Sequence, residues 1–280
     1  MTDQTAKKCK KVLRNNEYYS FQAELDYLYR ASKEGRSFKN LMRYICCQQN
    51  VELAYRRIKR NKGSRTSGTN KNTIDDIAKL GTDKLVAYVK TRLDNYKPHS
   101  VRRVMIPKDN GKERPLGIPT IEDRLIQQCI LQILEPICEA KFHKHSYGFR
   151  PNRKTHNAIA RFSYLVYHAK LEYVVDIDIK GFFDNVNHAK LIKQMWSLGI
   201  RDKNLLSIIS KLLKAPIVGE GVPKKGTPQG GILSPLLSNI VLNELDWWIS
   251  NQWETFPTRH PYKGSGDKYQ ALKRSSNLKE

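Results

Sequence analysis

Acidic residues are scarce in this chain. Asp and Glu number 27 against 50 Lys and Arg, a net charge of +23 over 280 residues. That imbalance argues against a cationic partner and points to a polyanion, nucleic acid first. A merely solubilising surface fits less well, because the positive charge is clustered. Long apolar runs are missing too: no segment reaches the roughly 18 to 20 residues of a membrane span. The start, Met1-Thr2-Asp3-Gln4, lacks an apolar signal core. A cytoplasmic protein with no membrane partner is the expectation. Cysteine is sparse, at positions 9, 46, 47, 129 and 138, with no Cys-x-x-Cys pair and no His at finger spacing. This excludes a zinc finger or ribbon, and the odd count predicts reduced thiols. No internal repeat is visible.

What is present falls into helical and strand-like patterns. The basic run Lys7-Lys8-Cys9-Lys10-Lys11 opens the chain. Phe21, Leu25 and Leu28 at steps of four and three predict one helix, and Leu41, Ile45, Leu53 and Ile58 a second, interrupted one. The second runs into Arg56-Arg57-Ile58-Lys59-Arg60-Asn61-Lys62-Gly63-Ser64-Arg65, ten residues without an acid. This reads as a mobile basic loop that grips phosphates, or else as a solvated linker. Thr82 is the expected N-cap of a helix through Leu85, Val89 and Leu93. Residues 101–106 and 114–119 predict a hairpin about Asp109-Asn110-Gly111, its second strand an edge broken by prolines. A long helix with Leu125, Ile126, Cys129, Ile130, Ile133, Leu134 and Ile137 on one broad face follows, and Pro136 should kink or end it. Cys129 and Cys138 read as small core residues within this pattern.

Residues 171–179 predict a buried strand ending at Asp178, inside Tyr173-Val174-Val175-Asp176-Ile177-Asp178-Ile179-Lys180-Gly181-Phe182-Phe183-Asp184. Helices are expected near 188–198 and 202–214, and again after the glycine-rich loop Gly226-Thr227-Pro228-Gln229-Gly230-Gly231. A carboxylate at the end of a buried strand is costly unless paired. Asp178 therefore fits either a ligand of Mg²⁺, which takes hard oxygens and shares them with substrate phosphates, or a cap for the next helix. Asp176 would share its face and is a weaker second candidate, whereas Asp184 reads as structural. Phe183, on composition, is a core aromatic. Lys108 and Arg114 flank the hairpin turn and either deliver two cations to a triphosphate or form an exposed basic tip. Gln229 sits where glycines let the backbone approach a ligand.

Taken in order, these segments resemble the reverse transcriptases encoded by group II introns. Lys108 through Ile118 with the following helix is similar to the first fingers block, and Ser146-Tyr147-Gly148-Phe149-Arg150-Pro151-Asn152-Arg153 to the second. Residues 175–184 are similar to the third block, and Gly226 through Pro235 to the fourth. The resemblance implies an α+β fold: a helical, basic N-terminal extension over 1–95, fingers over 96–170 and an incomplete palm over 171–280 of a right-hand polymerase. It implies RNA-directed DNA polymerase activity with a maturase association. Asp178 would be catalytic and hold metal, helped by the backbone carbonyl of Ile179. Lys108, Arg114, Lys180, Gly181, Phe182, Phe183 and Gln229 would bind the incoming nucleotide, Phe183 as a steric gate against ribonucleotides. Arg56, Arg57, Lys59, Arg60, Lys62, Arg150 and Gly230 would bind nucleic acid. The implied cofactor is Mg²⁺ at a two-metal site. The implied partners are group II intron RNA, an RNA template with its DNA primer, and dNTPs.

One departure stands out. The family's second catalytic carboxylates lie in an aromatic-x-Asp-Asp hairpin, and the only Asp-Asp pair here is Asp75-Asp76, which reads as a helix start. Half of the metal site is therefore expected, in a truncated chain that extends no primer alone. The alternative is a catalytically inactive RNA-binding fragment. An uncovered palm edge would favour self-association or a complementary polypeptide.

Overall fold

The computed structural model describes residues 15–107, 111, 113–227 and 230–255. Six helices come first: α1 (Asn15–Tyr18), α2 (Gln22–Lys33), α3 (Met42–Ile45), α4 (Gln48–Lys59), α5 (Ile74–Ala78) and α6 (Thr82–Asp94). Strands β1 (Arg102–Pro107) and β2 (Glu113–Ile118) form an antiparallel hairpin in register from Arg102↔Ile118 to Pro107↔Glu113. Then follow α7 (Ile121–Glu139), α8 (Thr155–Tyr167), α9 (Phe182–Asn185), α10 (His188–Ser197), α11 (Lys203–Leu213) and α12 (Ser234–Ile249). The expected helices and hairpin are all present, with Gly81 rather than Thr82 as the cap of α6. The turn residues 109 and 110 lie outside the described residues.

Helix α7 is the axis of the fold. Fifteen of its nineteen residues are buried, polar ones among them, so other parts of the chain enclose it on nearly all sides. Helices α2, α3, α4, α5 and α12 pack on it. Its first turn is fixed by Thr120, whose hydroxyl accepts from the Asp123 amide, and by Glu122 and Asp123 against the helix dipole. Several of its buried polar groups are paired, although Glu122 Oε2 and Arg124 Nε have no partner among the described residues. Gln132 donates to Asn50 Oδ1 at 2.6 Å, and Asn50 donates to the Cys129 carbonyl at 3.0 Å. Ser32 donates to the Ile137 carbonyl at 2.7 Å. Pro136 does not end the helix, which continues to Glu139. Three helical residues follow it, and Ile137 and Cys138 are fully buried, so core packing carries the last turn past the proline. Burial pushes the Cys129 and Cys138 thiols well above the usual cysteine range, as expected for inert core residues.

A second group, α10, α11 and α12, joins this core. Asp202 caps α11 by accepting from Leu205 N at 3.1 Å, and its other oxygen takes Leu41 N at 2.7 Å. Residues 171–179 correct the sequence expectation, because they form no strand. A strand needs partners for its N–H and C=O groups, and among the described residues the only sheet is the β1–β2 hairpin. The apolar run therefore lies bare, with Tyr173 81% and Val175 82% exposed. Helix α8 beside it has no buried residue at all. Among the described residues no helix is long and apolar enough to cross a membrane.

Candidate nucleotide and nucleic-acid site

Three separated segments meet at two glycines. Gly226 has φ +91°, and a Cβ there would lie 3.0 Å from the Asp184 carbonyl and 3.1 Å from that of Phe183. Gly226 N donates to Val186 O at 2.8 Å, and Thr227 N to Phe183 O at 2.7 Å. Gly230 has φ +102°, and a Cβ there would fall 2.2 Å from the Gly117 carbonyl on β2. Only glycine allows both the backbone angle and this approach. Gly226 thus packs on the turn after Asp178, and Gly230 on the base of the hairpin. Gly230, expected against nucleic acid, faces protein in this structure.

His188 is a member of this cluster that its position in the sequence did not reveal. Its ring is buried, with Nε2 2.7 Å from Gly226 O. A carbonyl can only accept, so Nε2 carries the proton. His188 Nδ1 and the Thr227 hydroxyl, also buried, have no partner among the described residues. A lone histidine opening an amphipathic helix gives no signal to distinguish it from a core residue.

The turn itself is tied by local hydrogen bonds. Gly181 is left-handed at φ +61°, and Asn185 donates back to its carbonyl at 2.9 Å. Lys225 reaches Asn185 Oδ1 at 2.7 Å. The Phe182 and Phe183 rings meet edge to face at 5.8 Å, Phe182 against the core and Phe183 half-buried beside the glycine loop. Asp176, Asp178, Ile179, Lys180 and Asp184 are all exposed. Asp178 and Ile179 lie on the bare 171–179 run rather than at the end of a buried strand. Two hard oxygen donors, the Asp178 carboxylate and the Ile179 carbonyl, are adjacent in sequence. No group of three His, Cys, Asp or Glu side chains that could enclose a metal occurs among the described residues. Asp178 and Ile179 thus fit the chemistry of a hard cation but do not complete a site.

Arg114 is exposed on β2, opposite Ile106. Lys108 and Gln229 lie outside the described residues. The hairpin is held at its base, where Arg103 grips Glu220 with two bonds of 2.7 and 2.6 Å and Val101 N donates to Pro216 O at 2.7 Å.

The basic residues of the N-terminal unit divide by environment. Arg56 lies over the Tyr18 ring at 5.1 Å, and Lys59 over Tyr55 at 5.7 Å. Lys59, Arg60 and Lys62 are exposed. Arg57 is half-buried and donates to Asn16 at 3.1 Å, and burial lowers its pKa. Arg150, expected against nucleic acid, is only 6% exposed. Its Nε and Nη2 hold Glu139, and its Nη1 donates to His143 O at 2.7 Å and Ser146 O at 2.9 Å. As placed, it builds the second block's turn.

The expected mobile loop is also corrected. Residues Lys62–Arg65 form a 3₁₀ turn. The buried Arg124 side chain donates to Gly63 O at 2.8 Å and to Thr66 O. Arg102 donates to Ser67 O at 2.8 Å, and Asn70 and Asn72 both donate to Glu122. Next to Arg124, Asp123 takes Tyr96 OH and His99 N, both at 2.8 Å, and His99 Nδ1 at 3.1 Å. Burial alone would raise the Asp123 pKa, but the bonds from His99 and Tyr96 outweigh it and hold the carboxyl low, while the same contact raises His99.

The family model for "Reverse transcriptase (RNA-dependent DNA polymerase)" matches residues 106–264, which contain the second strand of the hairpin, the turn after Asp178 and the glycine loop. The chain belongs to the reverse transcriptase family. The group II intron-encoded protein LtrA of Lactococcus lactis subsp. cremoris is 41% identical over 216 residues, covering 76% of this chain and 35% of LtrA. Protein YkfC of Escherichia coli K12 is 36% identical over 224 residues, covering 77% of this chain and 58% of YkfC. This reverse transcriptase chain thus spans between about a third and three-fifths of the length of these relatives. A chain of a solved partial Cas6-RT-Cas1–Cas2 complex superposes with a TM-score of 0.45 at 22% identity, over 75% of this chain and 34% of that one. The resemblance to group II intron proteins read from the four sequence blocks is borne out.

Proposed function

We propose that this chain supplies the RNA-binding extension, the fingers and the first part of the palm of an RNA-directed DNA polymerase of the group II intron type, with a maturase association. The observation that carries the reading is the meeting of hairpin, Phe183 turn and glycine loop at Gly117, Gly226 and Gly230. A polymerase needs a nucleotide aligned between fingers and palm, and phosphoryl transfer asks the protein mainly for positioning and charge neutralisation. Lys108 and Arg114 orient the triphosphate, Lys180, Gly181 and Phe182 shape the floor, Phe183 crowds a 2′-hydroxyl, and Gln229 faces the nucleotide. Asp178 and the Ile179 carbonyl would hold Mg²⁺, which when bound neutralises the triphosphate. RNA template, DNA primer and intron RNA bind along the basic extension. A cytoplasmic location suits its free thiols.

A second reading, an RNA-binding fragment without polymerisation, is favoured by one observation. Asp75-Asp76, the only such pair in the 280 residues, opens α5 inside a capping box with Thr73. Both readings leave residues 173–179 and α8 to be covered by a complementary polypeptide or by self-association. The test is primer extension on oligo(rA)–oligo(dT) with Mg²⁺. These 280 residues alone are expected to extend nothing, while a polypeptide that also carries an aromatic-x-Asp-Asp hairpin extends the primer. In that longer form, Asp178→Asn should abolish extension and leave RNA binding nearly intact. Extension that survives Asp178→Asn would overturn its assigned role.

A further inference from the structure

A cleft of about 720 Å³ opens between α1, α4 and the start of α6, well within the size of small-ligand sites. Its walls are Tyr18, Tyr19 and Tyr55, with Gln49 and Glu52 inside and Gly81 at the mouth of α6. Tyr18 is 61% exposed. The rings are nonetheless ordered: Tyr18 meets Tyr19 edge to face at 5.0 Å, Arg56 covers Tyr18, and Lys59 stands over Tyr55. The cleft is therefore lined by aromatic rings and a carboxylate, with cations over two of those rings.

Each part selects against other ligands. A phosphate is disfavoured inside by Glu52, yet suited to the rim at Arg56 and Lys59. An apolar side chain would leave Glu52 and Gln49 unmatched. An unpaired base satisfies all three, because unstacked RNA bases are recognised by aromatic stacking together with hydrogen bonds to their edges. Glu52 accepts from Gln48 with Oε1 at 2.9 Å, and a carboxylate can accept further. Among the bases, guanine offers two neighbouring N–H donors on one edge.

The geometry points to a nucleobase site: an unpaired guanine of bound RNA stacks among Tyr18, Tyr19 and Tyr55, pairs its edge with Glu52, and rests its flanking phosphates on Arg56 and Lys59. This rests on the reading of the N-terminal unit as RNA-binding. The experiment measures binding of the 280-residue chain to an RNA hairpin with an unpaired G in its loop, and to a blunt RNA duplex of equal charge, across salt. Tyr18→Leu with Tyr55→Leu should weaken hairpin binding about tenfold, the scale of losing a stacked base, and leave duplex binding and the salt slope unchanged. Tyr18→Phe with Tyr55→Phe should restore hairpin binding, and Glu52→Gln should erase the preference for G over A in the loop. Duplex binding also reports that each variant is folded. Equal losses on both RNAs, or none on the hairpin, would overturn the nucleobase site while the RNA-binding reading stands. If the unaltered chain binds neither RNA in a salt-dependent way, the broader reading falls, and the site with it.

Discussion

Helix α7 and residues 171–179 are both rich in Ile, Leu and Val, yet one is deeply enclosed and the other lies bare. Ile130, Ile133 and Leu134 have no exposed surface, whereas Val174 is 65% and Ile177 71% exposed. The difference is not in the side chains. A helix closes its own backbone hydrogen bonds and can bury any face that neighbours cover. A strand cannot close its own, so its apolar residues stay in water until another strand arrives. Hydrophobicity alone predicts burial in both places, but only the helix can achieve it locally.

The comparison can be broken most sharply by paired substitutions. Leu134→Ala should cost about 2–5 kcal/mol of unfolding free energy, whereas Val175→Asp should change it by less than about 0.5 kcal/mol. Urea denaturation followed by circular dichroism measures both. A large loss at Val175 would mean that the run is covered in solution. Next in size is Arg124→Ala, which leaves the Gly63 and Thr66 carbonyls without their charged donor. A loss of about 2 kcal/mol is expected, with faster amide exchange over residues 62–66. Unchanged exchange there would show that the turn holds itself. The smallest effect concerns pH. The His99 pKa is raised in the folded state, so its contribution is fully present below about pH 6.5 and is lost as pH rises through the folded value. The Asp123 pKa is lowered, so its contribution is present above about pH 3.9 and is lost as pH falls through the folded value. Stability should therefore peak between these limits. His99→Gln should flatten the alkaline limb, and an unchanged limb would assign it to another group.

Much of the frame was legible from periodicity. The steps in α2, the broad face of α7 and the turn-flanked hairpin are local patterns, and they produced local structure. What escaped was settled by distant partners. The acid-free stretch after α4 has the composition of a loose loop, and nothing near it announces Arg124, which fastens it from 61 residues away. Arg150 sits in a motif that suggests a ligand, yet Glu139 occupies it. Gly230 is expected from the sequence against nucleic acid, and the group that approaches it in this structure is the Gly117 carbonyl. His188 joined the cluster without any local signal, since only the tertiary fold brings Gly226 to it.

Asp202 has a consequence for how the chain acquires this shape. Its carboxylate meets the Leu41 amide 161 residues upstream, and Phe38 and Ile200 bridge beside it. During synthesis from the N-terminus, α3 emerges long before its cap exists. The amide of Leu41 has no such partner until residue 202 has left the ribosome, although α7, on which the N-terminal helices pack, emerges earlier. Closing the junction of residues 38–42 with residues 200–202 is thus a late event, timed by a residue near the other end of the core.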